Sequence, residues 1–416
     1  MGDATNWDED AYRDTILKER ELQSQTVFRT IFAPQNPQIP DIIVVVASSD
    51  GSVAPYSISS SLSSSYPSGL SKIGHQKDFS SFLVAEPLCL LEGHDGPAYD
   101  VKFYGDGDDS LLLSCGDDGR IRGWRWQTIL NSEMPIPFQA LSVTDVFFFL
   151  DVSSVINPLL IAFAGDYLKP VLDLTNPQHK GPWGALSPVP ENNAIAVDYQ
   201  GGSLYAAVGD SCAYCWDVVR MFQGNWSNQN SFQGALRLLA LCCCAKLKKS
   251  GKFSFSSSFP IITGSEDATV RTWDCKSGKC IHIIEPEKDV KLNARSSWIS
   301  CISLDASESW LACGNGRNLS LWNLPSSECF SRITTSSLIQ DILFDENQIL
   351  AVGAEPVLTR FDMNGAALSV IQCAPQSVFS IALHTSGVTA VGGYGGLVDV
   401  ISPFGSHLST FRCKGH

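Results

Sequence analysis

The sequence predicts an all-β fold, a closed β-propeller of seven blades, from three observations. One hairpin template, an apolar pair followed by small residues, a polar turn and a second strand, fits the chain seven times. The last copies are 39 and 40 residues apart, measured from Trp322 to Phe361 and from Phe361 to Ile401. The 416 residues also include 33 Gly and 21 Pro, which supply turns, and 44% apolar residues, which can fill a large core.

Residues 1–25 precede the first template and predict a short N-terminal helical extension. Asn6 can cap this helix, and Asp14 and Lys18 form a favourable pair one turn apart. The helix would carry a narrow apolar stripe of Trp7, Ala11, Tyr12, Ile16 and Leu17. Packing of this stripe on the propeller and contact with a partner subunit are both open, and packing is favoured because such stripes usually cover their own domain.

Residues 26–412 are assigned to the propeller. The seven hairpins are VVASSDGSVAPYS (45–57), LLSCGDDGRIRGWR (112–125), LYAAVGDSCAYCWD (204–217), IITGSEDATVRTWD (261–274), LACGNGRNLSLWN (311–323), LAVGAEPVLTRFD (350–362) and AVGGYGGLVDVIS (390–402). Near the end of each second strand one large residue recurs, and in order it is Tyr56, Trp124, Trp216, Trp273, Trp322, Phe361 and Ile401. A period near 40 residues, with four strands to each unit, is typical of a WD-repeat blade.

Three segments lengthen the spacing between the early hairpins and predict insertions near 57–80, 127–166 and 219–258. They are either genuine loops or, for 127–166 and 219–258, retained intron sequence. We favour retained intron sequence, because an apolar insertion such as DVFFFLDV without a complementary surface would promote aggregation. Replacement of 219–258 by a short strand is therefore expected to raise the melting temperature.

The second blade predicts a buried chain of hydrogen bonds. A Gly-His pair at 93–94 lies thirty residues before Trp124, with Ser114 and Asp118 between them. In a WD repeat these side chain types connect in the order Asp, His, Ser, Trp and tie the outer loop of the blade to its inner strands. The expected tetrad is His94, Ser114, Asp118 and Trp124.

The fourth hairpin, continued as IITGSEDATVRTWDCK (261–276), resembles the docking box of WD-repeat proteins that bind the cullin-4 ubiquitin ligase adaptor. The candidate docking residues are Ile261, Ile262, Asp267, Trp273, Asp274 and Lys276. The box departs from the family pattern at Thr272, where an aliphatic residue is expected. Most of these residues also have reasons to be there as parts of a blade, so Lys276, a cation past the end of the hairpin, is the informative one.

No catalytic or cofactor motif is recognisable in the sequence, so neither an enzyme nor a cofactor is expected. The glycine-rich GGYGG (392–396) falls where the other blades have their turn and lacks the Lys of a phosphate-binding loop. The pair Cys212 and Cys215 has the spacing C-x-x-C, but an odd separation on a strand places the two thiols on opposite faces. A metal site is therefore not expected there.

Charge and hydropathy limit the partners and the compartment. A formal net charge of -14 argues against direct binding of nucleic acid, because such binding depends on Lys and Arg. The acidic N-terminus lacks the features of a signal peptide, which predicts an intracellular protein. The apolar run 143–168 is interrupted by Asp145 and Asp151, so a membrane-spanning helix is not expected.

Four stretches resemble the plant family of THO complex subunit 6, and they are GHDGPAYDVKFYGDGDDSLLLSCGDDGRIRGWRW (93–126), NPQHKGPWGALSP (176–188), DASESWLACGNGRNLSLWNL (305–324) and VGGYGGLVDVISPFGSHLSTFR (391–412). Of these, PQHKGPWGALSP and YDVKFYG are not part of a general blade pattern. The resemblance implies a nuclear, non-enzymatic scaffold subunit of the THO/transcription-export complex, which binds other THO subunits in messenger-ribonucleoprotein assembly and mRNA export. The alternative, implied by the docking box, is a substrate receptor of a cullin-4 ubiquitin ligase, with stress-hormone signalling as its setting.

Overall fold

The computed structural model describes most of the propeller. The described residues are 13, 16, 17, 20, 24–35, 41–60, 83–107, 109–132, 167–181, 183–198, 202–218, 228–233, 240–244, 260–275, 277–286 and 298–414, with the backbone alone over 228–233, 240–244 and 260. Within them the chain forms seven sheets, in which all neighbouring strands but one pair are antiparallel, so the predicted all-β, seven-bladed propeller is confirmed.

The strands of blades 1 to 4 follow one another along the chain. Blade 1 is Val27–Phe32 (β1), Ile43–Ser48 (β2) and Val53–Ser57 (β3), and the short strand Val84–Ala85 (β4) comes after it. Blade 2 is Ala98–Tyr104 (β5), Leu111–Gly116 (β6), Arg120–Arg125 (β7) and Leu172–Thr175 (β8). Blade 3 is Asn192–Asp198 (β9), Ser203–Val208 (β10), Cys212–Asp217 (β11) and Asn228–Gln233 (β12), and blade 4 is Ala240–Cys244 (β13), Pro260–Gly264 (β14), Val270–Asp274 (β15) and Lys279–Ile284 (β16).

Blades 5 to 7 are more regular. Blade 5 is Ile299–Leu304 (β17), Trp310–Asn315 (β18), Asn318–Asn323 (β19) and Glu328–Thr334 (β20), and blade 6 is Ile339–Asp345 (β21), Gln348–Gly353 (β22), Val357–Asp362 (β23) and Ala367–Gln372 (β24). Blade 7 is Val378–Leu383 (β25), Thr389–Gly393 (β26), Leu397–Ile401 (β27) and His407–Cys413 (β28).

The first strands of the seven blades surround the centre and close the ring. Each first strand contacts the first strand of the next blade, from β1 through β5, β9, β13, β17, β21 and β25 back to β1. Closure is reinforced in blade 7, where β4 pairs in parallel with β28 as a fifth strand. A segment that lies between blades 1 and 2 in the sequence thus pairs with the last blade and links the two ends of the ring.

The hydrophobic core lies between the faces of adjacent blades rather than at the centre. One cluster joins Ile261 and Trp273 of blade 4 to Ala194 and Ala207 of blade 3, and another joins blade 5 to blade 6. Apolar residues on both faces of the second and third strands make this packing possible, because each blade is covered by a neighbour on either side. These clusters hold the ring together as a series of stacked sheets.

Most of the first strands share an irregularity of register near their first residue. In six of them the register shifts between the first residue and the residue two positions later, and the later residues are Arg29, Asp100, Ala194, Cys301, Asp341 and Ser380. A bulge of this kind re-aims a side chain. Three of these residues are charged, Arg29, Asp100 and Asp341, whereas Ala194 and Cys301 belong to apolar clusters between blades.

The expectation that 219–258 lies outside the blade pattern is wrong for two of its parts. Residues 228–233 form β12, which pairs with β11, and 240–244 form β13, which pairs with β14. The segment therefore supplies the outermost strand of blade 3 and the innermost strand of blade 4. Of the insertions predicted near 57–80 and 127–166, residues 61–80 and 133–166 lie outside the described residues.

Helix is rare in the described residues. Arg13, Ile16, Leu17, Arg20 and Ser24 are helical, and the rest of the predicted N-terminal helix lies outside the described residues, so that helix stays a prediction. Ile58, Ser59, Ser60 and Val218 are also helical. The helix Trp126–Asn131 (α1), which is described from end to end, follows β7 and buries Trp126 and Ile129. Within the described part of the chain, no helix has the length and hydropathy needed to cross a membrane.

Candidate functional site

A buried ion pair network at the centre of the ring joins blades that are not neighbours. Arg29 on β1 donates from Nη1 to Oδ2 of Asp341 on β21 over 2.7 Å, and its Nε lies 3.0 Å from Oδ1 of Asp100 on β5. The carboxylates of Asp100 and Asp341 are almost completely buried. Burial by itself lowers the pKa of the guanidinium, but the charges of Asp341 and Asp100 raise it above its usual range.

The two carboxylates extend this network to further blades. Oδ2 of Asp100 accepts a hydrogen bond from the amide of Ile195 on β9 over 3.0 Å. Oδ2 of Asp341 accepts one from the amide of Ile381 on β25 over 3.0 Å. Three side chains therefore connect blades 1, 2, 3, 6 and 7. The sequence signal for this network was one charged residue at the same place in the first strands of three blades.

The blade 2 hydrogen bonds contain three of the four predicted residues. Nδ1 of His94 lies 2.9 Å from Oδ1 of Asp118, and Nε2 of His94 lies 2.6 Å from Oγ of Ser114. Burial favours a higher pKa for the Asp118 carboxyl, but the hydrogen bond and charge of His94 and the amides of Arg120 and Asp95 hold that pKa below its usual value. The side chains therefore form a continuous chain from the hairpin turn to the interior of the blade.

The fourth predicted member, Trp124, is not part of this chain. Its indole Nε1 donates to the carbonyl oxygen of Leu168 over 3.0 Å instead of to Ser114. Leu168 is held beside the Gly-His loop by hydrogen bonds with Leu90 and Glu92, so its carbonyl is in place to accept the indole proton. The predicted tetrad is therefore corrected to a triad of His94, Ser114 and Asp118. Trp124 instead binds the segment at Leu168, which precedes β8.

We expect His94→Ala and Asp118→Ala each to lower the free energy of unfolding by about 1–3 kcal/mol, because each leaves a buried polar partner unsatisfied. The double variant should cost less than the sum of the two singles, since the second substitution removes a group that has already lost its partner. Denaturant unfolding of the four proteins measures this coupling. Asp117→Ala, in the same turn but exposed, is the control and should change stability by less than about 0.5 kcal/mol. Strictly additive costs would contradict a connected triad.

The proposed docking box is largely built into blade 4. Ile261, Ile262 and Trp273 are 1%, 1% and 3% exposed, so a partner has no access to them. Nε1 of Trp273 donates to Oγ1 of Thr263 over 2.8 Å, a bond inside the blade. Ile262 packs toward blade 5 with Val270 and Leu311.

The acidic residues of the box are engaged in their own turns. Asp267 accepts hydrogen bonds from the amide and hydroxyl of Thr269 and pairs with Arg271 over 2.7 Å. Asp274 accepts a hydrogen bond from the hydroxyl of Ser277 over 2.5 Å. Lys276 lies outside the described residues. Each described member of the box thus has a role within the blade, and the docking hypothesis stays a prediction without support from these contacts.

A polar cluster at the edge of blade 3 includes Cys212, which sequence analysis assigned to a structural role. His179 Nε2 lies 2.8 Å from Oδ2 of Asp210, and the hydroxyl of Tyr214 donates to the same oxygen over 2.6 Å. His179, Asp210 and Cys212 offer ligand atoms within 4.8 Å of one another, a spacing compatible with a metal ion. Burial and the nearby Asp210 raise the pKa of the Cys212 thiol to about 11. The hydrogen bonds of Asp210 with His179 and Tyr214 hold the loop that carries His179 against blade 3.

This pinned loop, residues 176–188, is a candidate contact surface. The amide of Ser187 donates to the carbonyl of His179 over 2.8 Å, and the amide of Gly181 donates to that of Ala185 over 2.8 Å, which makes a small hairpin. Trp183 at its tip is 96% exposed. An aromatic side chain held in water on an ordered hairpin is typical of a protein contact.

One comparison with known proteins finds copies of a known repeat, and another finds relatives that share one name. The model of the family "WD domain, G-beta repeat" matches residues 85–125, 230–274 and 279–323. A protein of Arabidopsis thaliana named THO complex subunit 6 is 51% identical over 411 residues, which cover 99% of this chain and 98% of that protein. Similarity also extends to THO complex subunit 6 homolog of Danio rerio, 23% identical over 77% of this chain and 82% of that protein, and to THO complex subunit 6 of Homo sapiens, 23% identical over 80% and 76%.

Proposed function

Because the chain belongs to the THO complex subunit 6 family, we propose that it is a non-enzymatic scaffold subunit of a THO complex in the nucleus, acting in messenger-ribonucleoprotein assembly and mRNA export. The observation that carries this proposal is the 51% identity to the Arabidopsis protein along nearly the full length of both chains.

The buried ion pairs and the net charge of the molecule support a scaffold function. The buried charges at the centre are paired with one another and with backbone amides, so they act to hold the ring together. A net charge of -14 is unfavourable for holding a phosphate backbone, which favours protein partners over direct RNA contact. Partners are therefore expected to be the other subunits of the complex.

The proposal is tested by affinity purification of the tagged full-length chain from plant nuclear extract. Other THO subunits should be recovered in near-equal amounts after washing at moderate salt, and recovery should withstand nuclease treatment, because the contacts are between proteins. A tagged, unrelated seven-bladed WD-repeat protein is the control. Recovery of no THO subunit, or recovery that disappears with nuclease, would contradict the scaffold function.

A further inference from the structure

The fourth strand of blade 6 has an apolar, uncharged edge. Its sequence is ALSVIQ, and Leu368 and Val370 are 53% and 64% exposed. The other fourth strands whose side chains are described all contain charged residues or His, namely Asp173 in β8, Lys279 and His282 in β16, Glu328 and Arg332 in β20, and His407 and Arg412 in β28. Charges at an edge prevent unwanted pairing with another strand. β24 lacks this protection.

The backbone of β24 is also available for pairing. The amide of Cys373, just after β24, donates to the carbonyl of Pro356, just before β23, over 2.7 Å. The amide of Cys373 therefore points toward the β23 side of β24. Because residues alternate in an antiparallel ladder, Ile371 faces β23, whereas the amide and carbonyl groups of Val370 and Gln372 point away from it. In the described part of the chain, no strand lies beyond β24 in this sheet.

Blade 7 shows that a fourth strand of this propeller accepts a fifth. β4 pairs with β28 at Arg412 and Cys413, and the amide of Arg412 donates to the carbonyl of Leu83 over 2.8 Å. The added strand lies along the outer edge and leaves the four strands of the blade in place. An equivalent addition at blade 6 therefore requires no rearrangement of the ring.

We propose that the outer edge of β24 binds an extended segment of another THO subunit, which becomes a fifth strand of blade 6. This inference rests on the proposed function and assigns a surface to it. The bound segment is apolar at alternate positions, where it covers Leu368 and Val370. It is basic beyond those positions, because Asp362, the last residue of β23, and Glu355, in the turn before β23, lie near the two ends of β24 and the chain has a net charge of -14.

Hydrogen exchange of the purified complex and of the isolated full-length chain tests the backbone pairing. The amides of Val370 and Gln372 should exchange at least roughly tenfold more slowly in the complex, because they gain partners there. The amide of Ile371 faces β23 in both states and is the internal reference. Equal exchange of Val370 in the two states would overturn the proposal.

Substitution at the same edge gives a second test. Val370→Lys should reduce capture of THO subunits by roughly tenfold or more, because the partner strand would have to cover a charge. Val370→Thr keeps a β-branched side chain and should retain capture. Ile281→Lys is the matched control, since Ile281 is 49% exposed on β16, an edge that already contains Lys279. Equal melting temperatures of the variants exclude misfolding as the cause of a loss.

The outcomes separate this inference from the proposed function. If the wild type captures THO subunits and Val370→Lys captures them equally well, the β24 site is wrong and the function stands. If the wild type captures none, the function fails and the site fails with it. Protection of Val370 that appears in the isolated chain only as its concentration rises would identify a second copy as the occupant and would overturn the assignment to a partner subunit.

Discussion

Replacement of Arg29 by Met is expected to lower the free energy of unfolding by about 3–5 kcal/mol, the range for removing one partner of a buried ion pair. The guanidinium holds Asp100 and Asp341 at 3.0 and 2.7 Å, and both carboxylates are nearly inaccessible to water. Without Arg29 both carboxylates, which lie in first strands of different blades, lose the cation closest to them among the described residues, and Asp100 retains Nζ of Lys102 at 3.9 Å. Denaturant unfolding followed by tryptophan fluorescence measures the loss, and failure to accumulate as a folded monomer would be its extreme form.

Two further variants show whether the loss of stability in Arg29→Met comes from the buried charges. Arg120→Met removes an ion pair of the same length, 2.7 Å to Asp173, but both side chains there are about 40% exposed, so its cost should be below about 1 kcal/mol. The triple variant Arg29→Met, Asp100→Asn, Asp341→Asn should recover part of the stability, because each Asn can still accept the amide hydrogen bond of Ile195 or Ile381 without a charge. A cost for Arg29→Met no larger than that for Arg120→Met would contradict the central network as a major source of stability.

The hairpins of the propeller were predictable from local sequence, whereas the contacts between blades were not. The second hairpin, LLSCGDDGRIRGWR, corresponds to β6 and β7, because its apolar residues and polar turn determine the pairing within a few residues. Arg29 and Asp341, by contrast, are 312 residues apart, and only closure of the ring brings them together. A charged residue at the same place in three first strands indicates candidates, but no local pattern shows that Arg29 pairs with Asp341.

The errors at the candidate sites have similar physical causes. The indole of Trp124 bonds to Leu168, which follows the long segment 127–166, so a prediction based on spacing within one blade could not include it. β12, NQNSFQ, and β13, ALCCC, lack the alternating apolar and β-branched residues that identify strands. They are strands because their neighbours in blades 3 and 4 offer open edges, which a single sequence does not reveal.

Replacement of 219–258 by one short strand is expected to lower the melting temperature, on the order of 10 °C, in contrast to the increase predicted by retained intron sequence. The segment supplies β12 and β13, and one strand cannot replace two strands in different blades. The more costly loss is β13, because it contacts β9 and β17 and so continues the inner ring between blades 3 and 5. Without it the ring has a gap beside Ile261 and Ile262, which are buried in the complete protein.

A second, shorter replacement shows whether the strands or the connection between them determine the change in melting temperature. Replacement of 245–258 by a four-residue Asn-Gly turn keeps both strands and joins β13 to β14, which already pair as antiparallel neighbours. This variant should melt within a few degrees of the wild type, because shortening a connection between paired strands has a small entropic effect. Differential scanning calorimetry of the two variants and the wild type measures the difference. A higher melting temperature for the full replacement would show that the ring closes without β13 and would restore retained intron sequence as the explanation of 219–258.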